Sequence, residues 1–289
     1  MESQENQYRW PKAEAVYPDR PGRSYALKRL RYRLRAFLHR GLIAQFEQFI
    51  NQHPFLVTLL NEHADYSYPL VYRFLDKRFN RKQRFQAICD NLLFLPEKLT
   101  ALSAPIYKTP LSFGEVMPDF EMTLSMTTHQ PMEGYWVLEL WHKPRNELVY
   151  LLTFAKLGEA LLISVVQGPN FEGSKEMVKQ LTKTCYGLRP AYLMVETMKA
   201  LTKALGFKTL LGIPQKYQNK SRFIQSSHYV VDYDAIFAES GGQLKDYWEL
   251  PLEIDRNLDD VPSKKRSMYR KRYAMLDDLA KVIEEKLEL

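Results

Sequence analysis

Three acidic side chains that lie close together in the sequence are the residues best suited to general acid–base chemistry. Asp232, Asp234 and Glu239 fall in one short segment, near the expected edge of a sheet. A carboxylate can exchange protons near neutral pH when burial or a like charge raises its pKa. The sequence alone shows no such raised pKa, and the neighbouring Tyr233 and Phe237 are typical of a packed core. We therefore treat the three carboxylates as candidate catalytic residues, with a structural role as the alternative.

A glycine-containing turn at residues 183–190 is a second candidate site, because it joins two segments with helical periodicity. Backbone N–H groups at a helix start attract anions, since the helix dipole places partial positive charge there. Lys183 and Arg189 would add charge, and Gly187 would allow close approach to the backbone. Pro190, however, has no N–H to donate. The turn is either an anion site or a helix–turn–helix corner with solvated basic side chains.

Basic residues are concentrated in three stretches of the chain. Residues 23–40 contain seven Lys or Arg and no acid, and residues 73–84 contain six with one acid. The third stretch is the first half of an expected C-terminal helix, where positive charge opposes the helix dipole. Such stretches can bind anionic lipid or nucleic acid, or can be solvated helix faces. The candidate basic surface residues are Arg31, Arg33, Arg35, Lys264, Lys265, Arg266 and Arg270.

Composition and motifs limit the classes of function. The 289 residues carry 41 Lys and Arg against 34 Asp and Glu, so the net charge is +7, which favours anionic partners. The sequence lacks a phosphate-binding loop, a nucleophile elbow, a dinucleotide fingerprint and histidines at metal-ligand spacing, so we expect no metal site. With two cysteines, no signal-peptide pattern and no apolar run long enough to span a bilayer, we expect a cytoplasmic protein.

The elements that would position these residues fall into three regions. We expect a loosely held arm at 1–23, a helical region at 24–105 and an α+β region at 106–289. In the helical region, apolar residues recur at helical spacing between the arginines of the first basic stretch. These residues are Leu27, Leu30, Leu34, Phe37 and Leu38. Further helices are predicted around 43–51, 55–63, 68–76, 81–94 and 96–103.

The α+β region begins with segments rich in β-branched and aromatic residues. A short strand around 121–127 precedes strands at 135–142, 147–155 and 160–167, and their short turns predict a three-stranded antiparallel meander covered on both faces. A helix capped by Ser174 and a second starting at Pro190 follow. We further expect a strand at 207–213, a short helix at 232–240, a strand at 247–252 and a long helix from 263 to 287. The predicted fold class is α+β with a mixed, mostly antiparallel sheet.

Four distinctive strings occur in one order in this chain: Gln167-Gly168-Pro169-Asn170, Gly187-Leu188-Arg189-Pro190, Asp232-Tyr233-Asp234 and Glu239-Ser240-Gly241-Gly242. Together with the tail 263–273, they resemble the VirK/YbjX family of bacterial proteins. The resemblance covers roughly residues 24–279. It implies a protein of Gram-negative bacteria linked to stress, virulence and resistance to antimicrobial peptides, without an established reaction.

The order of strands and helices over 135–213 also resembles the middle of an acyl-CoA N-acyltransferase (GNAT) fold. That resemblance implies a CoA-type or other phosphate-bearing ligand at the 183–190 turn, and an acyl- or aminoacyl-transferase activity. The candidate ligand-binding residues are Gln167, Asn170, Lys183, Gly187 and Arg189. The alternative is a non-catalytic adaptor whose basic helices engage an anionic membrane surface or a nucleic acid.

Overall fold

The computed structural model describes residues 7–22, 24–127, 130–169, 171–219 and 231–287, and within these ranges the chain is an α+β protein. The helices are α1 (Ala13–Val16), α2 (Ala26–Leu38), α3 (Arg40–Asn51), α4 (Pro54–Glu62), α5 (Arg81–Lys98), α6 (Ser174–Thr184), α7 (Pro190–Ala204), α8 (Tyr233–Glu239) and α9 (Ser263–Leu287). The strands are β1 (Leu111–Met117), β2 (Phe120–Met126), β3 (Trp136–His142), β4 (Glu147–Leu157), β5 (Ala160–Gln167), β6 (Leu210–Gly212), β7 (Gln243–Leu244) and β8 (Trp248–Leu250).

All eight of these strands form one sheet in the order β1-β2-β3-β4-β5-β6-β8-β7. Every neighbouring pair is antiparallel except β5 and β6, which are parallel and are joined through α6 and α7. The predicted meander of β3, β4 and β5 is confirmed, and so is the mixed, mostly antiparallel character of the sheet.

The sheet is covered on both faces, as the sequence predicts. Every residue of β5 except Gln167 is buried, which explains why apolar residues occupy both odd and even positions of that strand. Helices α5 and α7 both pack against β4, and α9 packs along α7 and against β1. The long C-terminal helix therefore closes the α+β region rather than projecting from it.

Local chemistry sets several helix boundaries. Asn80 caps α5, because its side chain accepts from the backbone N–H groups of Lys82 and Gln83, and the Gln83 side chain accepts from the Asn80 N–H in return. Pro190 is the first residue of α7, where its missing N–H costs nothing. Ser174 was predicted to cap α6, but the N-cap is Gly173, which has a left-handed backbone conformation.

Other expectations are corrected by tertiary packing. The segment 68–76 is not an α-helix; a 3-10 helix covers Ala64–Val71 instead. Residues 81–98 form one helix that includes Pro96, although the proline predicted a break. Strands β1 and β7 were not predicted, because their segments show only a weak strand pattern in the sequence.

The N-terminal arm is not loosely held over the part that the structure describes. Tyr8 is fully buried, and its hydroxyl lies 2.7 Å from the Ser67 hydroxyl. Trp10 stacks on Tyr32 of α2 with ring centroids 6.0 Å apart. Aromatic side chains in this polar segment, rather than any periodicity, fasten it to the helical region.

The backbone of Gly134 approaches strand β4 so closely that there is little space for a side chain at this position. Its φ is +135°, and a Cβ there would lie 2.9 Å from the carbonyl oxygen of Phe154 and 3.0 Å from a methyl group of Thr153. Gly134→Ala should therefore lower the free energy of unfolding by roughly 2 kcal/mol or more in a denaturant titration.

Gly41→Ala is the matched control. Gly41 lies in α3, and a Cβ at this residue would meet no atom within 4 Å, so stability should stay level or rise by up to about 1 kcal/mol. Equal stability of the two variants would contradict the role given to Gly134.

Candidate functional site

The candidate catalytic carboxylates each have a structural partner. Asp232 caps α8 by accepting from the backbone N–H of Ala235 at 3.0 Å. Asp234 accepts from the backbone N–H of Gln215 at 3.0 Å and from the indole N–H of Trp248 at 2.8 Å. These contacts tie α8 to the end of the sheet, which is a stabilising role.

Glu239 lies at the other end of α8 and accepts a hydrogen bond from the hydroxyl of Tyr192 on α7. Burial, followed by this contact with Glu239, raises the pKa of Tyr192 to about 12. Four separate donors thus hold the three carboxylates, and their catalytic role stays a prediction.

The 183–190 turn uses its own backbone donors. The N–H of Tyr186 donates to Lys183 O at 3.1 Å, and the N–H of Gly187 donates to Thr182 O at 2.7 Å. The N–H of Leu188 donates within the same turn, to Cys185 O at 3.0 Å. These bonds complete the end of α6. Three of the amides available to the anion-site interpretation, those of Tyr186, Gly187 and Leu188, are thus engaged inside the turn.

Helix α9 covers the same turn from outside. Arg272 donates from Nε and Nη2 to the carbonyl oxygen of Tyr186, at 3.2 and 2.8 Å. A Cβ on Gly187 would lie 3.2 Å from Arg272 Nη2 and 3.3 Å from Cε of Met268. The turn therefore serves as the docking point of the C-terminal helix.

Among the described candidate ligand-binding residues, Gln167, Lys183 and Arg189 do not line the cleft that lies near the turn. Lys183 and Arg189 are exposed, whereas Gln167 is half-buried and its Oε1 lies 3.5 Å from Nε2 of Gln130. Asn170 lies outside the described residues. A cleft of about 330 Å³ between β1 and α9 adjoins Tyr186, but two acids and one cation line it, so it does not favour an anion. Those charged side chains are Glu115, Asp278 and Lys271.

The docking role of Arg272 can be tested against its neighbour Arg270, which is exposed on the same helix. Arg272→Gln should lower the free energy of unfolding by about 1–3 kcal/mol, because Tyr186 O loses two charged donors. Arg270→Gln should change stability by less than about 0.5 kcal/mol. Thermal melts of both variants measure the difference; identical melting temperatures would exclude the docking role.

The basic end of α9 lies at the surface. Lys264, Lys265 and Arg270 are exposed, and Arg266 donates to the backbone oxygens of Val261 and Asp259 just upstream. Besides the contacts of Met268 and Arg272 with the 183–190 turn, the helix packs through its later half, where Leu276, Leu279 and Ile283 are buried. Its early charges are thus solvated or used locally.

Helix α2 is the clearest departure from ordinary packing. Five large apolar side chains, here called the apolar face, point into solvent along one side of the helix. Their exposed fractions are Leu27 59%, Leu30 61%, Leu34 58%, Phe37 66% and Leu38 57%. At 3.6 residues per turn they span an arc of about 100°. The helical spacing is confirmed, but the stripe does not face the core.

The opposite side of α2 is the side that packs. Tyr32 is buried, stacks on Trp10 and donates its hydroxyl to Pro11 O at 2.8 Å. Tyr25 and Arg29 lie on that same side and are half-buried. The signal in the sequence was therefore present: a second stripe, of tyrosines, competes with the leucine stripe for the interior.

The predicted basic residues of α2 flank the apolar face. Arg31 is exposed, and no described residue forms an ion pair with it. Arg33 pairs with Glu14 of α1. Arg35 stacks on the ring of Tyr72 at 3.9 Å, measured from the guanidinium carbon to the ring centroid. Helices that lie at a membrane surface have this pattern, in which apolar residues face outward and basic residues flank them.

These features define an α+β protein that carries an amphipathic helix on its surface. Residues 21–285 match the family described as "Protein of unknown function (DUF535)", and the chain belongs to that family. The protein is related to the Escherichia coli protein YbjX, with 24% identity over 279 residues, covering 89% of this chain and 83% of that protein. The resemblance seen in the sequence is thus confirmed.

Two other relatives are more similar. An uncharacterized protein of Haemophilus influenzae is 80% identical over 282 residues, and the match covers 98% of this chain and 97% of that protein. A Mannheimia haemolytica protein named "Membrane protein LapB" is 65% identical over 216 residues, covering 75% of this chain and 96% of its own. No solved structure matches the chain, so the GNAT resemblance stays a prediction. None of the described helices combines the length and apolar character that crossing a bilayer requires.

Proposed function

We propose that this protein binds the surface of an anionic membrane, and that the apolar face of α2 is the element that enters the lipid. The observation that carries the proposal is the exposure of five large apolar side chains on one helix, all more than half accessible to solvent. Isolated exposed leucines are common, but a contiguous apolar face marks an interaction surface.

The energetics favour a lipid interface. Complete burial of one Leu or Phe side chain contributes about 1.5–3 kcal/mol, so burying the exposed part of five such side chains can contribute several kcal/mol. Each Lys or Arg near an anionic surface adds about 1 kcal/mol. The first basic stretch contains seven Lys or Arg and no acid, and Arg31 lies exposed at the edge of the apolar face, so both contributions come from the same segment.

Charge makes a second copy of the chain a poorer occupant of the apolar face. Pairing two copies of α2 would bring together two helices whose segment has no acid, and like charges would repel. A nucleic acid would satisfy the arginines but would leave the leucines in water. An anionic bilayer matches both the apolar arc and its charged edges.

The relatives support the same proposal. The name of the Mannheimia haemolytica relative places that protein in a membrane context. The VirK/YbjX resemblance implies a role in stress, virulence and resistance to antimicrobial peptides, which are cationic agents acting on anionic lipid. We place the protein as a peripheral adaptor at such a surface in envelope adaptation.

Two substitutions on the apolar face give the direct test. Leu34→Gln with Phe37→Gln should reduce co-sedimentation with vesicles rich in phosphatidylglycerol at least about tenfold, because the apolar contribution is lost. The melting temperature should not fall, since both side chains already face solvent.

Leu244→Gln is the control, because Leu244 is an equally exposed leucine on β7, away from α2. It should leave vesicle binding unchanged. Arg31→Gln should weaken binding and reduce its dependence on salt. If the double variant bound vesicles as tightly as the wild-type protein, α2 would not be the element that enters the lipid.

The transferase hypothesis is a second candidate with less support. Its expected anion site at 183–190 has engaged amides and a helix lying over it. A ligand that binds only the folded state raises the melting temperature by mass action. A higher melting temperature in millimolar CoA would favour the transferase hypothesis. An unchanged melting temperature would leave the adaptor role as the remaining hypothesis.

A further inference from the structure

A group of basic side chains lies where the end of α2 meets the start of α5. We call Arg35, His39, Arg81 and Arg84 the arginine cluster. The first two come from the last turn of α2 and its C-cap, and the last two from the first turn and a half of α5. The close approach of His39 and Arg84 therefore assembles a site that neither segment contains alone.

Arg84 is the central member, because it is charged and only 7% exposed. Its Nε donates to the backbone oxygen of Leu70 at 2.8 Å, and its Nη2 lies 3.5 Å from Nε2 of His39. No acid within the described ranges forms an ion pair with Arg84. A buried guanidinium without a counter-charge is expensive and is retained where an anion completes it.

Arg35 and Arg81 add positive charge near Arg84, and these charges together with burial favour the neutral form of His39. Nδ1 of His39 lies 2.8 Å from the carbonyl oxygen of Arg35, so the ring is oriented by a backbone contact with Nε2 towards Arg84. Burial is the largest cause of the lowered pKa of His39, and Arg81, Arg84 and Arg35 lower it further. The pKa of Arg84 is likewise lowered, first by burial and then by Arg81.

Among the residues that the structure describes, no acid forms an ion pair with a member of the arginine cluster. The first turn of α5 contains Arg81 and Lys82 but neither Asp nor Glu, although a helix N-terminus favours negative charge. Arg35 is held in place by Tyr68, which accepts from its Nη1 at 2.5 Å, and by the ring of Tyr72. The cations are thus preorganised by neutral groups.

We propose that the arginine cluster binds a phosphate group. Guanidinium groups donate pairs of parallel hydrogen bonds that match phosphate oxygens, and a phosphomonoester with about two negative charges offsets the most charge. The cluster adjoins the apolar face, since Leu38 immediately precedes His39 and Phe37 lies beside Arg40. Choosing a lipid headgroup as the source of the phosphate rests on the proposed membrane function.

The test uses the full chain with two probes. The first is vesicles of phosphatidylcholine with phosphatidic acid, compared with phosphatidylglycerol vesicles of equal surface charge. Wild-type protein should bind the phosphatidic acid vesicles about tenfold more tightly. The second is inorganic phosphate, which should raise the melting temperature relative to chloride at matched ionic strength.

Two variants address the arginine cluster and one serves as control. Arg84→Met removes the buried charge and should abolish both phosphate effects. The melting temperature should change little, because removing an uncompensated buried charge offsets the loss of the hydrogen bond to Leu70 O. Arg81→Gln removes an exposed member and tests the site even if the first variant folds poorly. Lys82→Gln, which removes one charge from the same turn, should change affinity by no more than about twofold.

The outcomes separate this inference from the proposed function. Equal binding to both vesicle types, with variants that behave as wild type, would overturn the phosphate site and leave membrane binding intact. An Arg84-dependent response to inorganic phosphate without binding to any vesicle would support the site, assign it to a soluble phosphate ester and refute the membrane role. No response to either probe would refute both.

Discussion

The stacking of the N-terminal arm on α2 is the constraint on which the rest of the surface depends. Trp10 lies against Tyr32, and Tyr8 is buried beside it with its hydroxyl at Ser67. These aromatic contacts choose the tyrosine side of α2 as the buried side. Because a helix has only one inward side, the leucine side is left in solvent.

This orientation of α2 leaves apolar side chains in water, whereas a folded chain is usually stabilised by burying them. Burying Leu34 and Phe37 in place of the tyrosine side would gain more hydrophobic free energy, so the observed orientation needs another reason. Departures from local consistency concentrate at functional sites, where stability is exchanged for interaction. An unpaired buried Arg84 next to the same helix is a second departure of the same kind.

The α+β region shows the opposite behaviour, since its unusual residues serve packing. The strings at 183–190 and 232–242 are distinctive in sequence, yet the first docks α9 through Arg272 and Tyr186. The second fastens α8 to the sheet through Asp234 and Trp248. A string that identifies a family can therefore record the geometry of its core rather than its chemistry.

Sequence reasoning predicted the meander well because each strand is bounded by short turns and rich in β-branched residues. The short turns also fix the register of the hairpins, in which Leu152 lies opposite Val166. It predicted α9 and the start of α7 for local reasons, namely a long periodic stripe and Pro190. It missed β1 and β7, which form only because a neighbouring strand offers hydrogen bonds to a weakly patterned segment.

By itself, the sequence determined the family, the α+β class, the helical spacing of the leucine stripe and the run of cations without an acid. These depend on neighbouring residues and on residue type. Only the tertiary structure decided that the stripe faces solvent, that Arg84 is buried beside His39, and that α9 covers the 183–190 turn through Arg272. Those outcomes depend on contacts between segments far apart in the chain, whose relative free energies no local pattern encodes.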